Sequence, residues 1–196
     1  MLHKPVDELA IGEPVPSRGR TVTETDVVSF CYLTGNWLEI HSNEQVAART
    51  PYGRRLVQGS LVFSIIPGLV TWDARYTIAM YAVDDMRFPR PVFIGDTITA
   101  QIAVEDVQMR DEDTGIATFA VKVLNQRSEV VQTFRMRILG RRARAVAALL
   151  ANGSLNPGDE PPPPIDAQPA TDAQSPVDAQ PSVDAQPPVE AGLRDA

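Results

Sequence analysis

Between residues 97 and 139 the sequence alternates between polar and apolar residues. The alternation covers residues 97–104, 116–124 and 130–139. A period of two is typical of β-strands that bury one face. Residues 113–115 (Asp-Thr-Gly) and 125–128 (Asn-Gln-Arg-Ser) separate these segments and are rich in turn formers. The pattern therefore predicts antiparallel hairpins.

The sequence before this region carries helical signals. Thr23 can cap a helix whose first turn is acidic, and Gly35 ends that helix. Residues 42–45 (Ser-Asn-Glu-Gln) have the form of a capping box and predict a short helix with the serine as its cap. Residues 59–70 are apolar all round, which predicts a buried central helix. Pro67 is expected to kink or shorten it.

A long buried helix followed by a late antiparallel sheet predicts an α+β fold in which the sheet wraps around the helix. Residues 141–151 could form a terminal helix or begin a linker, and the pattern leaves both alternatives open. We expect one folded domain over residues 1–145 and a disordered tail over residues 146–196.

The tail is a hexapeptide repeat. The tripeptide Asp-Ala-Gln begins at residues 166, 172, 178 and 184, and every unit contains proline. Proline removes backbone donors and favours extended conformations, and the alanine and valine content is too low to offset the entropy of ordering the chain. We therefore expect disorder, either as a solubilising spacer or as a docking segment for a partner that binds proline-rich sequences.

The net charge of −7 lies entirely in this tail. Residues 151–196 contain eight acidic residues and one basic residue, whereas residues 1–150 have equal numbers of each. A neutral folded part lacks the basic face that nucleic-acid binding requires. Cys31 is the single cysteine, so an internal disulfide is excluded, and no apolar run has the length of a signal peptide or a membrane helix. We expect a cytoplasmic protein that binds neither nucleic acid nor membrane.

Three segments of the chain carry a family resemblance. They are Tyr32-Leu33-Thr34-Gly35-Asn36-Trp37-Leu38-Glu39-Ile40-His41, Tyr52-Gly53-Arg54-Arg55-Leu56-Val57-Gln58-Gly59, and Phe88-Pro89-Arg90-Pro91-Val92-Phe93-Ile94-Gly95-Asp96-Thr97. The first resembles the signature of MaoC-like (R)-specific enoyl-thioester hydratases, roughly aromatic-x-[Ser/Thr]-Gly-Asp-x-Asn-Pro-x-His. The other two are similar to the glycine that opens that family's central helix and to its Pro-Val-x-x-Gly-Asp-Thr strand entry. The resemblance runs from about residue 7 to 140.

The resemblance implies a hotdog fold, in which an antiparallel sheet wraps a long helix, and assembly as a homodimer or as a heterodimer with another hotdog subunit. It also implies reversible addition of water to a trans-2-enoyl thioester of coenzyme A or acyl carrier protein, which gives a 3-hydroxyacyl thioester. That reaction needs a base for the water, a proton for the α-carbon and donors aimed at the thioester oxygen. No metal or cofactor is implied.

The motif assigns roles to individual residues. By resemblance, His41 matches the family's catalytic histidine, and Gly59 supplies the backbone N–H that is aimed at the thioester oxygen. Asn36 stands where the family has its catalytic aspartate, and Leu38 and Glu39 stand where it has asparagine and proline. Asparagine can hold a water through hydrogen bonds but cannot take its proton. We expect His41 to act as the base while Asn36 orients the water.

Four further side chains are candidates around these residues. Gln58, next to Gly59, is expected to bind substrate. Ser64 could bind substrate or hydrogen-bond the motif asparagine, as the resemblance implies, or return its bond to the preceding helical turn. Trp37 could line an acyl tunnel or pack at a dimer face. Glu39 is an alternative base.

Three functions remain open. The first is a hydratase/dehydratase of acyl thioesters. The second is a catalytically weak or inactive acyl-thioester-binding subunit of a heteromeric dehydratase, which Asn36 favours. The third is an acyl-CoA thioesterase, which generally uses a carboxylate on or near the central helix, and residues 59–72 contain none.

Overall fold

Antiparallel strands form a single sheet in the computed structural model, which describes residues 3–156. The strands are β1 (Val15–Pro16), β2 (Arg20–Thr21), β3 (Thr77–Arg87), β4 (Thr97–Met109), β5 (Thr114–Leu124) and β6 (Val130–Arg141). Their order is β1-β4-β5-β6-β3, with β2 paired to β4. The three alternating segments are β4, β5 and β6, and their antiparallel pairing confirms the predicted hairpins. The repeat predicted to be disordered, from residue 157 onward, lies outside the described residues.

Strand β3 lies at one edge of the sheet, where the sequence pattern predicts no strand. It pairs with β6 in a register that shifts at three places. Asp85 has a φ of 53°, which non-glycine residues rarely adopt. Because β3 is irregular and is not buried along one face, it leaves no period-two signature in the sequence.

The helices are α1 (Glu24–Thr34), α2 (Glu39–Ser42), α3 (Glu44–Ala47), α4 (Gly59–Ile65) and α5 (Ala143–Ala151), with 3₁₀ turns at Val6–Glu8 and Ile66–Leu69. In α1 the Thr23 hydroxyl accepts a hydrogen bond from Asp26 N at 3.3 Å, and Thr23 N donates to the Asp26 carboxylate at 2.8 Å. Gly35, with a φ of 71°, ends the helix. The predicted cap and stop of α1 are thus confirmed. Within residues 3–156, no helix combines the length and the apolar character that crossing a membrane requires.

The predicted cap of α3 is wrong by one residue. Asn43 is the cap, and its side-chain oxygen accepts hydrogen bonds from Gln45 N at 3.1 Å and Val46 N at 3.2 Å. Ser42 is instead the last residue of α2, and its hydroxyl donates to Trp37 O at 3.0 Å. The physical reason is that α2 extends through Ser42, so the chain first leaves helical geometry at Asn43.

Helix α4 is the buried centre of the fold and is shorter than the residue pattern over 59–70. Its α-helical part ends at Ile65, and the 3₁₀ turn that follows contains Pro67. The α-helix thus ends before Pro67, which confirms the expectation that this proline shortens it. The reason is that proline lacks a backbone N–H. Apolar side chains of this helical segment pack against the inward face of the sheet, and the buried cluster includes Leu61, Val62, Ile65, Ile66, Ile98, Phe119, Phe134, Met136 and Ile138. This packing is the predicted α+β arrangement.

The chain after β6 forms a helix, which decides between the two alternatives for residues 141–151. Helix α5 crosses the domain boundary that was expected at residue 145. Its first N–H, on Ala143, donates to the Asp7 carboxylate at 2.9 Å, and Val146 is buried. The N-terminal segment thus holds α5 in place.

A buried ion pair holds the turn that leads into β3. Asp73 is 2% exposed, and its carboxylate accepts hydrogen bonds from the Arg75 backbone N–H at 2.8 Å and from the Arg75 guanidinium at 2.6 Å. Burial alone would raise the pKa of Asp73, but the hydrogen bonds and the charge of Arg75 outweigh it, so the pKa lies below its ordinary value. Asp73 is therefore ionised in the folded protein at neutral pH.

We expect the Asp73→Asn substitution to lower the free energy of unfolding by about 2 kcal/mol near neutral pH, because it removes a charge that Arg75 pairs with inside the protein. A carboxyl group with a lowered folded-state pKa stabilises the fold above its unfolded pKa, and this contribution is lost as the pH falls through the folded-state pKa. The difference from the native protein should therefore shrink below about pH 4. Urea unfolding at about pH 7 and about pH 3 measures it. An equal difference at both values would contradict a role for the charge.

Candidate active site

A cleft of about 530 Å³ lies beside the first turn of α4. Its walls come from the segment that precedes α4, from the segment between β3 and β4, and from the start of β6. Val57 N donates to Val92 O at 2.8 Å and joins two of these walls. The lining residues include His41, Leu56, Gly59, Phe88, Arg90 and Gln132.

His41 is held in the cleft by a hydrogen bond to the backbone. Its Nδ1 lies 2.9 Å from Leu56 O. A carbonyl oxygen can only accept, so Nδ1 carries the proton and Nε2 of the neutral ring carries a lone pair. Leu56 is itself fixed, because its N–H donates to Ile40 O at 3.0 Å and it forms a bridge with Phe93. The imidazole is thus half-buried, oriented and of defined tautomer.

Gly59 is the first residue of α4 and also lines the cleft. Gln58, at the cap position of this helix, makes no capping hydrogen bond with its side chain. The N–H groups of the first turn are therefore not used by a cap, and they lie at the positive end of the helix. The Phe88 ring packs directly on Gly59, and a Cβ there would lie 2.5 Å from a ring carbon. A side chain at residue 59 would therefore displace the Phe88 ring.

Asn36 occupies the turn between α1 and α2 and does not line the cleft. Its side-chain oxygen accepts a hydrogen bond from Leu38 N at 3.5 Å, and its own N–H donates to the Thr34 hydroxyl at 3.3 Å. These contacts order the turn that leads into α2, the helix that carries His41.

Trp37 and Ser64 also lie outside the cleft lining. Trp37 is 46% exposed and packs edge-to-face on Tyr32, with ring centroids 4.8 Å apart. The Ser64 hydroxyl donates to Ser60 O at 2.8 Å. Of the two alternatives for this serine, the structure has the bond to the preceding helical turn.

Gln58 and Glu39 make other contacts. Gln58 is 1% exposed, and its side-chain nitrogen donates to Cys31 Sγ at 3.1 Å beneath the cleft wall. The Glu39 carboxylate accepts a hydrogen bond from the Asn43 side chain at 3.3 Å. Of the seven predicted site residues, the structure brings His41 and Gly59 together in the cleft.

Gln132 lines the same cleft, and sequence reasoning missed it. Its Nε2 donates to Gly59 O at 3.3 Å, and the residue is fully buried. The alternation of β6 could have identified it, because residues 132, 134, 136 and 138 point inward. Gln132 is the polar residue among them.

No carboxylate lines this cleft within the part of the chain that the structure describes. Its titratable side chains are His41, Tyr52 and Arg90. Across residues 3–156, no group of three or more His, Cys, Asp and Glu side chains is placed to hold a metal ion. Imidazole is the lining group that exchanges protons most readily near neutral pH, so His41 is the candidate for proton transfer in this cleft.

A second cavity of about 670 Å³ lies at the other end of the central helical segment, near Leu69 and Val70. The N-terminal residues His3, Lys4 and Glu13 form part of its wall. It is larger than the first cleft, but it contains neither His41 nor a helix N-terminus. The cleft beside Gly59 is therefore the candidate active site.

Several known proteins are similar to this chain in sequence or in structure. The (R)-specific enoyl-CoA hydratase of Aeromonas caviae is 30% identical over 52% of this chain and 73% of its own length. Protein MaoC of Klebsiella aerogenes is 35% identical over 51% of this chain, but this chain spans only 30% of its length. Among solved structures, the monoamine oxidase regulatory protein of Archaeoglobus fulgidus has a TM-score of 0.68 and 39% identity, over 73% of this chain and 99% of that one.

A further solved structure has a similar fold. A Mycobacterium tuberculosis protein described as a double hotdog fold has a TM-score of 0.64 at 19% identity, over 71% of this chain and 44% of that one. The hotdog fold expected from the sequence is thus confirmed. The family model of the MaoC like domain matches residues 7–125, and this chain therefore belongs to the MaoC-like dehydratase family.

Proposed function

We propose that this protein is a hydratase/dehydratase that interconverts trans-2-enoyl and 3-hydroxyacyl thioesters of coenzyme A or acyl carrier protein. The observation that carries the proposal is the hydrogen bond between His41 Nδ1 and Leu56 O, because it leaves Nε2 as a base in a cleft shared with the N-terminus of α4. The name of the Aeromonas caviae relative, an (R)-specific enoyl-CoA hydratase, supports the same reaction class.

In the hydration direction, His41 Nε2 takes a proton from water while the water oxygen bonds to C3 of the enoyl group. The electron pair of the C2–C3 double bond moves toward the thioester, and negative charge develops on the thioester oxygen. The protonated imidazole then delivers the same proton to C2, and the neutral base is restored. The atoms of one water are thus added by one side chain.

The Gly59 N–H supplies the stabilisation that this charge needs. A backbone donor at the start of α4 is oriented before the reaction, and the helix dipole has the correct sign. The space left by the missing side chain of Gly59 is filled by the Phe88 ring, which forms the adjacent wall of the cleft. Asn36 lies in the turn before α2, outside the described lining of the cleft, so orienting the water would require its side chain to leave that turn. Its amide can donate and accept hydrogen bonds but cannot exchange the proton.

A second candidate is an acyl-thioester-binding subunit with little or no activity. The position of Asn36 favours it, because the family's aspartate is replaced and the side chain lies outside the cleft lining. Thioesterase activity is the third candidate and has less support. The described lining of the cleft offers no carboxylate to act on a thioester.

We expect His41→Ala to lower kcat for the hydration of crotonyl-CoA by about a hundredfold or more, because general acid–base groups contribute on the order of 10²–10⁴. The loss of absorbance of the enoyl thioester measures the rate. His3→Ala is the matched control, since His3 lies at the second cavity, and it should retain the native rate. A His41→Ala variant within twofold of the native protein would contradict the base role.

Asn36→Asp is expected to raise kcat for the same substrate by about tenfold or more, because it restores a side chain that can exchange a proton. Asn152→Asp is the control, since Asn152 is an exposed residue after α5. If turnover occurs only in Asn36→Asp, the binding-subunit candidate is favoured. If Asn36→Asp gives no gain over an active native protein, position 36 does not act at the reacting atoms.

A second hotdog subunit along β3 is part of the proposal. β3 is an edge strand that presents Ile78, Met80 and Tyr81 to solvent, each at least 40% exposed. Apolar edge strands are rarely left open in monomers, because they pair with other strands. The partner is a second copy of this chain or an unlike hotdog subunit.

Lysine at both Met80 and Tyr81 should convert a homodimer into a monomer, because charged lysine side chains on an edge strand oppose its pairing with another strand. Sedimentation velocity measures the mass of each species. Gln101→Lys, at an exposed position of β4, should leave the assembly unchanged. A native protein that is monomeric at every concentration would exclude the homodimer and leave the unlike subunit as the partner.

A further inference from the structure

Gln132 has no part in the mechanism above, although its side chain, which extends from β6 of the sheet, hydrogen-bonds to the backbone of Gly59. It is 0% exposed, on the inward face of β6, and it lines the cleft with His41 and Gly59. A fully buried amide in an otherwise apolar row calls for a partner for each of its polar atoms.

The orientation of the Gln132 amide follows from its neighbour. The Gly59 carbonyl can only accept a hydrogen bond, so the atom that faces it at 3.3 Å must be the amide nitrogen. The other atom, Oε1, is then an acceptor. Across residues 3–156 it has no hydrogen-bond partner. An unpaired buried acceptor is costly, and an apolar side chain of the same size would avoid that cost.

The position of Gln132 along β6 indicates which part of a ligand meets it. Val130, two residues earlier, accepts a hydrogen bond from Arg90 at the rim of the cleft, at 3.3 Å. Phe134, two residues later, packs on Phe63 of α4, with ring centroids 5.2 Å apart. Gln132 thus lies between the polar rim of the cleft and the apolar core.

We propose that Gln132 is a positioning residue whose Oε1 accepts a hydrogen bond from the amide N–H of the carrier arm of a thioester, the group joined to the thioester sulfur by two methylene carbons. This amide is common to coenzyme A and to the phosphopantetheine of carrier proteins. With Nε2 on the Gly59 carbonyl and Oε1 on the arm, Gln132 links the helix N-terminus to the substrate and sets the thioester oxygen beside the Gly59 N–H. The inference rests on the proposed function.

The test compares two small unreactive ligands. One is S-butyryl-N-acetylcysteamine, which carries the amide N–H, and the other is its ester analogue, in which oxygen replaces that N–H. The native protein should bind the amide about five- to tenfold more tightly, because the ester has no donor and turns a lone pair toward Oε1. Dissociation constants come from ligand-observed NMR and require no turnover.

Gln132→Met should reduce the preference for the amide to about one, mainly by weakening the amide ligand. Gln132→Leu repeats the test with a second apolar side chain, in case Met does not fold. Thr133→Val is the matched control, since the next residue of β6 points to the opposite face, and it should keep the native preference.

A native protein that binds both ligands equally would overturn the proposal, as would a preference that survives in Gln132→Met. A native protein that binds neither ligand would contradict the proposed function itself. A variant that loses thermal stability but keeps the preference would identify Gln132 as a purely structural residue and would also overturn the proposal.

Discussion

Burial of the apolar α4 segment against the sheet is the interaction on which the rest of the molecule depends. Side chains such as Val62 and Ile66 are fully or almost fully buried, and apolar burial of this kind supplies most of the free energy of folding. The N-terminus of the segment lines the cleft with Gly59 and Ser60. The chain before it must then run beside the segment between β3 and β4, where Val57 bonds to Val92. The cleft is a consequence of this packing.

The two features on which the proposed reaction depends, at His41 and at Gly59, are set by backbone atoms. The tautomer of His41 depends on the Leu56 carbonyl, and the packing of the Phe88 ring on Gly59 depends on the absence of a Cβ. Neither feature requires a second titratable side chain. A cleft built in this way tolerates asparagine at position 36 structurally, since that residue serves the turn before α2. Asparagine at this position can still affect the reaction rate, because it cannot exchange a proton as an aspartate can.

The sequence predicted the elements that have strong local signals. The strands β4, β5 and β6 follow their alternation, and Thr23 and Gly35 bound α1 through hydrogen bonds that are local in sequence. Edge strand β3 could not be predicted, because an irregular strand without a buried face has no period. Asn43 was missed as a cap because α2 and α3 follow each other without a loop, and sequence alone does not say which of two adjacent capping residues is used.

The site was predictable where the motif is contiguous. His41 and Gly59 were found through the resemblance, whereas their common cleft depends on contacts between residues far apart in sequence. Gln58 was expected to bind substrate because it precedes Gly59, yet the backbone directs its side chain inward to Cys31. Gln132 is 73 residues away from Gly59, and only the sheet brings the two together.

The contact between Asp7 and Ala143 joins the first and last parts of the described chain. Its consequence concerns cooperativity. In many proteins the ends fray independently and exchange amide hydrogens before the core opens. Here, release of the N-terminal turn also removes the acceptor that holds the first N–H of α5. We therefore expect the two segments to loosen together, so that a protease that reaches one of them also finds the other exposed.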